Sequence, residues 1–281
     1  MNHLDLSKLP VPDIVEVIDY EQEFAEVLAR YRELMGDQWT ALLESEPGMK
    51  LLELVAYEKL TLRARINAAA KGVLLASAGG NDLDHVLALL DAVRLDGELD
   101  DDFRERGRLA PYGFSTAGPG KAYLYHARSA HDDVLDAWVD SPSPGVVRVT
   151  VLSRVGDGTP SDAVLAAVRT ALSAEDVRPL NDTVLVEAAR PLPWALKARL
   201  HFPTGAATEP ALAAALTAAE AYAAGQRRLN TPIRRAMVTA ALGVTGVVDV
   251  ELLSLTEDIE PQMQGAPFCT GIELEPVVDY V

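Results

Sequence analysis

The 281-residue sequence predicts an α+β protein, with an N-terminal helical unit built on one long helix and two small α+β sandwich domains in series behind it. Three observations carry that expectation. The stretch 44–84 contains no glycine or proline between residues 49 and 71, so nothing interrupts a helix there. Beyond residue 120, helix-like and strand-like periods alternate to the end of the chain. An internal echo places VLDAWVDSP (134–142) and VVDVELLSL (247–255) each behind a helix and a short connection, of the length usual in αβ loops. One larger mixed sheet is the alternative arrangement. The expected domains are 1–92, 93–190 and 191–281.

Taken in order, residues 1–13 carry Pro10 and Pro12 and read as an extended arm. Residues 14–20 suit a short strand or the lead into a helix. Phe24, Val27, Leu28, Tyr31 and Leu34 fall at helical spacing, which predicts an amphipathic helix over 20–34, broken at Gly36-Asp37. Ser45 and Pro47 supply a capping hydroxyl and a pre-set φ for the long helix, and Gly79-Gly80 supplies its stop. Such a helix is about 45 Å long at 1.5 Å per residue. Asn81 or Asp82 then caps a short helix over 83–90.

The pattern of the long helix matters more than its length. Leu52, Val55, Leu62, Ile66, Ala69, Val73 and Ala76 follow an alternating three-four spacing, with Lys59 as its charged member. Leu51, Leu54, Leu60, Leu74 and Leu75 lie off that seam, and the charges are scattered around the helix. A helix apolar on several sides needs neighbours on several sides. They come either from the same domain or from other chains. In the second case Leu52, Val55, Leu62, Ile66, Ala69 and Val73 are the expected inter-subunit contacts.

Residues 91–108 are polar and acidic and read as a solvated linker and helix start. Gly118-Pro119-Gly120 introduces a helix over 121–130, followed by strands over 134–139 and 146–152 with a turn at 141–145. Gly156-Asp157-Gly158 makes a tight loop, Ser161 caps a helix over 162–172, and 183–188 is a strand. A strand over 195–202, a helix over 209–224, a helix over 233–242 opened by Thr231-Pro232, and a strand over 247–253 follow. Residues 254–271 read as irregular, and 272–278 as a last short strand.

Composition removes several function classes. Lysine and arginine total 25 against 42 aspartate and glutamate, a net charge of −17, with a pI near 4.6. So acidic a chain is a poor ligand for phosphate backbones, and nucleic acid is not expected as a partner. The single cysteine, Cys269, excludes an intrachain disulfide and a cysteine-rich zinc site. No targeting segment and no apolar run of membrane-spanning length is expected, which points to the cytosol or to an assembly built there.

Candidate chemistry is sparse. Asp82, Asp84 and His85 could bind a metal, but carboxylates at a helix N-terminus cap backbone donors anyway. His126 and His131 are five residues apart, not the four that put two ligands on one helix face. The 156–158 loop lacks a phosphate-loop lysine, and no GxSxG elbow exists. Catalytic residues, metal ligands and cofactor sites are therefore expected to be none. Arg227, Arg228, Arg234 and Arg235 form the main basic cluster, a solvated face or a contact for an acidic partner. Trp194 is expected in packing.

The 44–84 segment ESEPGMKLLELVAYEKLTLRARINAAAKGVLLASAGGNDLD resembles the N-terminal signature of the phage baseplate assembly protein J family, the J-like wedge proteins of contractile-tailed phages and related tailocins. LAPYGFSTAGPGKAYLYHARSAHDDVLDAWVDSPSPGVVRVTVLSRVGDGTPS, VRPLNDTVLVEAA and the opening LDLSKLPVPDIVEVIDYE resemble it too, in the right order over nearly the whole chain. The connection at 91–108 is shorter than is usual in that family. The resemblance implies a non-enzymatic structural subunit of the baseplate wedge, without a cofactor. Its implied partners are a tail protein I-like wedge subunit, a second copy of itself, a sheath-initiator protein of lysozyme-like fold and the central hub and spike proteins. It implies no nucleic acid and no membrane. Its implied place is the virion tail baseplate or a tailocin particle, assembled in the host bacterial cytoplasm. On that reading 91–108 and 189–195 are the expected hinges during contraction. A metal-assisted hydrolase using Asp82, Asp84 and His85 and an unrelated homo-oligomeric scaffold are the rival readings.

Overall fold

The computed structural model describes residues 6–36, 43–115, 120–175, 177–179, 181–205, 207–260 and 262–280; Asp37, assigned above to a helix break, and Gly118-Pro119, assigned to a helix start, lie outside them. The chain divides into two compact units, Met1–Val93 and Arg94–Val281.

The first unit is helical. Residues 14–19 form no strand, because their backbone is met by a side chain instead. The Glu16 N–H donates to Asn67 Oδ1 at 3.0 Å, and Asn67 Nδ2 donates back to the Glu16 carbonyl at 2.8 Å. Helix α1 (Tyr20–Met35) starts where Asp19 accepts from the Gln22 N–H at 2.9 Å. Helix α2 (Pro47–Gly72) opens at Pro47 with Glu46 as a cap that makes no side-chain bond, so the expected Ser45 cap is not used. It spans 26 residues, about 39 Å rather than 45. The helix stops where the chain packs closely. A Cβ on Gly72 would sit 2.8 Å from Asp82 Oδ2, so the next helix approaches there. The Ser77 hydroxyl also donates to the Lys71 carbonyl at 2.8 Å, taking up a bond the helix leaves open. Helix α3 (Gly80–Ala88) is capped by Gly79 and not by the side chain of Asn81 or Asp82.

Helices α1 and α2 pack through charge as much as through apolar area. Glu23 of α1 is buried and takes Lys59 of α2 at 2.8 Å together with Arg63. Lys59 also reaches Glu26 at 2.8 Å, and the shared lysine holds the Glu26 carboxyl below its ordinary range. Ala56 and Asn67 are the residues of α2 that this packing buries.

The second unit begins with a folded stretch. Residues 94–108 are not a solvated linker. Helix α4 (Asp100–Gly107) and the single turn α5 (Ala110–Gly113) are folded in, with Phe103 and Arg106 fully buried. Arg106 forks onto Glu98, Nε to Oε1 at 2.8 Å and Nη2 to Oε2 at 2.7 Å. The Arg94 guanidinium lies 4.7 Å over the Phe103 ring and pairs with Asp100 at 2.8 Å. A count of charges reads this stretch as wet; its internal pairing is what lets it be dry.

Helix α6 (Gly120–Ser129), strands β1 (Val134–Ser143) and β2 (Val146–Ser153), helix α7 (Asp162–Leu172) and strand β3 (Thr183–Ala188) make the first sheet, in the order β1-β2-β3. β1 runs antiparallel to β2, and β2 parallel to β3 across α7. Ser161 caps α7, its Oγ accepting from the Val164 N–H at 3.4 Å. Val149 and Val151 of β2 face one core with Tyr123, Ala127, Val164, Val168 and Leu172. Leu152, one residue out of phase, points to a second apolar cluster with Ala189, Leu229 and Ala266.

Strand β4 (Arg190–Pro203), helices α8 (Thr208–Gly225) and α9 (Arg235–Leu242), and strands β5 (Asp249–Leu252) and β6 (Gly265–Tyr280) make the second sheet, ordered β5-β4-β6. Trp194, Leu196, Ala198, Leu200 and Phe202 are buried at every second position of β4, over α8 and α9. β6 is 16 residues long and starts inside the stretch expected to be irregular. It pairs with β4 in parallel along its length, which the alternation of 272–278 alone did not reveal. Thr231-Pro232 does not open α9; Ile233 forms a bridge with Ile259, and the helix starts at Arg235.

The described strands form two separate sheets, not one mixed sheet. The echo noted in the sequence has a structural meaning. β1 and β5 are each the antiparallel edge strand of a three-stranded sheet, and each follows a helix. Residues 189–195 hold no loose joint. The Ala189 N–H bonds the Val151 carbonyl in one sheet and the Arg190 N–H bonds the Gln264 carbonyl in the other, both at 2.8 Å. The chain passes from sheet to sheet without a loop.

Candidate interaction surfaces

On α2 the side facing α1 carries Leu52, Lys59 and Arg63, all half-buried. The adjoining side is apolar and open. Leu51 is 63%, Val55 52%, Leu62 62% and Ile66 51% exposed, and Val73, which caps the helix, is 72% exposed. Ala69 is exposed in the same stripe. Leu54 and Tyr57 extend it sideways at 53% and 58%. Of the expected seam, Val55, Leu62, Ile66, Ala69 and Val73 therefore share one water-facing stripe. Leu52 and Lys59 turn toward α1, and Leu51 takes the open side. Large exposed patches of this kind are uncommon on proteins that act alone.

The arginine cluster divides. Arg227 Nη2 donates to the Gly156 carbonyl at 2.8 Å and to those of Ser153 and Val155 at 3.4 and 3.5 Å, with its guanidinium 5.7 Å over the Phe268 ring. The 153–156 backbone thus presents carbonyls to a cation. Arg228 donates to the Leu135 carbonyl at 3.0 Å and to Asp102 Oδ1 at 2.9 Å. The other Asp102 oxygen takes Arg154. Burial pushes the Asp102 carboxyl up, but the two guanidiniums overcome it and hold it below the ordinary value. The Leu229 N–H donates to Asp136 Oδ2 at 3.0 Å, where burial pushes that carboxyl up. Arg227 and Arg228 therefore join the two sheet modules inside the chain. Arg234 pairs with Asp258 at 3.1 Å and with Glu260. Arg235 keeps an exposed side chain while its backbone N–H bonds Asp258 at 2.9 Å.

The sequence reading missed Asp102, Glu98, Arg106 and Arg154. Their signal was Phe103 set among acids and bases of both signs, a pattern a solvated stretch does not need. Among the described residues no group of three or more His, Cys, Asp or Glu is placed to hold a metal. Asp82 sits against Gly72, and His131 Nδ1 accepts from the Asp133 N–H at 3.1 Å.

Comparison with known proteins adds the identity. Three family models match in chain order: the baseplate J-like N-terminal domain over residues 44–96, the baseplate J-like central domain over 115–188, and the baseplate J-like protein C-terminal domain over 194–275. The chain is also 42% identical over 288 residues to baseplate protein J of Escherichia phage P2, with 95% of each chain covered. The chain therefore belongs to the baseplate J-like protein family.

Proposed function

We propose that this protein is a structural, non-enzymatic subunit of a contractile-tail baseplate and that it sits in the wedge. The open apolar stripe on α2 carries the reading. Burying a Leu, Ile or Val side chain is worth roughly 1.5–3 kcal/mol. A stripe of such residues left in water is stabilised only when another chain covers it. The occupants in this reading are a tail protein I-like subunit and a second copy of this chain, meeting α2 at Val55, Leu62, Ile66, Ala69 and Val73, with Leu52 at the margin. The second unit then faces neighbouring wedges, the sheath initiator and the hub. Arg235 is the member of the basic cluster best placed for an acidic partner, and Arg234 follows once its own carboxylates are displaced. Native mass spectrometry of the chain alone and mixed with the tail protein I-like subunit tests the proposal. A complex with two copies of this chain per partner supports it; no complex at any ratio contradicts it.

A further inference from the structure

The segment ahead of α1 carries one edge of a strand pair. A residue turns its N–H and its C=O to the same side only where the backbone is extended, and alternate residues of such a run turn to opposite sides. The Asn67 amide takes both groups of Glu16, at 3.0 and 2.8 Å, as a neighbouring strand would. Asp19 is extended as well, with φ −132° and ψ 127°. Val17 therefore turns its N–H and C=O away from Asn67 and α2, and the Asp19 N–H lies on that same outer edge. Among the described residues Val17 makes no hydrogen bond, and the Asp19 N–H has no acceptor. The Val17 side chain is 92% exposed, more than any other large apolar side chain among the described residues. An open backbone edge beside an uncovered β-branched residue is the geometry to which an extended peptide adds as a strand.

Charge selects what pairs there. Residues 13–19 read Asp-Ile-Val-Glu-Val-Ile-Asp, β-branched residues set between acids at every third position. Glu16 is held by Arg63 at 2.8 Å, but Asp13 and Asp19 are exposed and make no ion pair among the described residues. Glu21, exposed in the first turn of α1, adds a further carboxylate. A second copy of this chain would bring the same carboxylates to the edge and be repelled, whereas a basic strand is attracted. We propose that the Val17 edge takes up an extended segment of another baseplate subunit, with lysine or arginine set between apolar residues, as an added strand. The proposal rests on the baseplate role given above and not on what covers α2.

So few backbone groups make a short ladder, weak by itself, and it is therefore read in the assembled particle. Hydrogen exchange is compared between the purified full-length chain and assembled particles. Exchange at Val17 and Asp19 is expected to slow severalfold in particles. Val17→Pro deletes the outward N–H at a position whose extended backbone suits proline, and the Asn67 bonds to Glu16 face the other way. The folded Val17→Pro chain enters particles severalfold less than wild type. Val17→Thr, which keeps the N–H, enters like wild type. Asp13→Lys lowers entry as well, because it sets a cation against a basic strand. Where Val17→Pro speeds exchange at 15–16 in the free chain, wild-type exchange decides alone. Equal exchange in the two settings, a folded Val17→Pro chain entering at wild-type levels, or Asp13→Lys leaving entry unchanged overturns the added basic strand while leaving the baseplate role standing. Particles that lack the wild-type chain contradict that role, and the added strand with it.

Discussion

Replacing Asp102 with alanine tests whether the two sheet modules of the second unit are held as one body. Asp102 sits on α4 and receives Arg154 from the end of the first sheet and Arg228 from the second module. Its side chain is only 11% exposed, against 26% and 29% for the two arginines. Removing one member of a buried pair costs roughly 3–5 kcal/mol when the partner is left with nothing. Here Arg154 keeps the Asp132 carbonyl and Arg228 the Leu135 carbonyl, both at 3.0 Å, and water reaches each. The expected loss is therefore about 2–3 kcal/mol, below the full penalty. It is read by denaturant unfolding, with hydrogen exchange rising at 153–158 and 226–229. A cycle with Arg228→Ala should show coupling of about 1–2 kcal/mol. The sign with pH follows from the lowered carboxyl. Its contribution is present above the ordinary value of 3.8 and is lost as pH falls through the lower value of the folded state. Wild type and Asp102→Ala should therefore differ steadily near neutrality and converge in acid. A loss within about 0.5 kcal/mol, the range of ordinary surface changes, or strict additivity with Arg228→Ala, refutes the reasoning.

Three further outcomes follow from the packing. Asn67→Ala removes the amide that satisfies Glu16 in both directions; about 1–2 kcal/mol is lost and backbone exchange rises at residues 15–17. Leu200→Ala, in the core of the second module, costs roughly 2–5 kcal/mol, while Leu62→Ala on the open stripe changes unfolding by less than about 0.5 kcal/mol in the isolated chain. Gly72→Ala moves only the Asp82 carboxylate tip from its 2.8 Å approach while gaining helix propensity, so unfolding of the first unit changes by less than about 1 kcal/mol in a thermal scan.

Elements with a local cause were legible in the sequence. Ser161 sits at its helix start, and the alternation of 195–202 announced β4. What failed was set by distant partners. Asp82 reaches Gly72 where α2 ends, and no run within the helix encodes that approach. β6 extends back to Gly265 because β4 offers it a parallel edge, which PFCTG does not signal by itself. The charged run before α5 reads as a solvated linker and helix start when each charge is counted singly; the helix start is there, in α4, and the pairing of Arg106 with Glu98 is what buries it. On α2 the apolar residues were visible, but which of them face water was not. Glu23, a buried acid on α1, draws Lys59 and Arg63 inward and so rotates the open side toward Leu51 and Leu62.

The most direct test of the assembly role is Leu62→Asp in the full chain, scored by whether it enters baseplates. Because Leu62 already faces water, the isolated variant should keep its circular dichroism and unfold like the wild type, yet be missing from purified particles and fail to bind the partner subunit. Particles that carry the folded variant at wild-type levels would mean that other subunits do not need this side of α2.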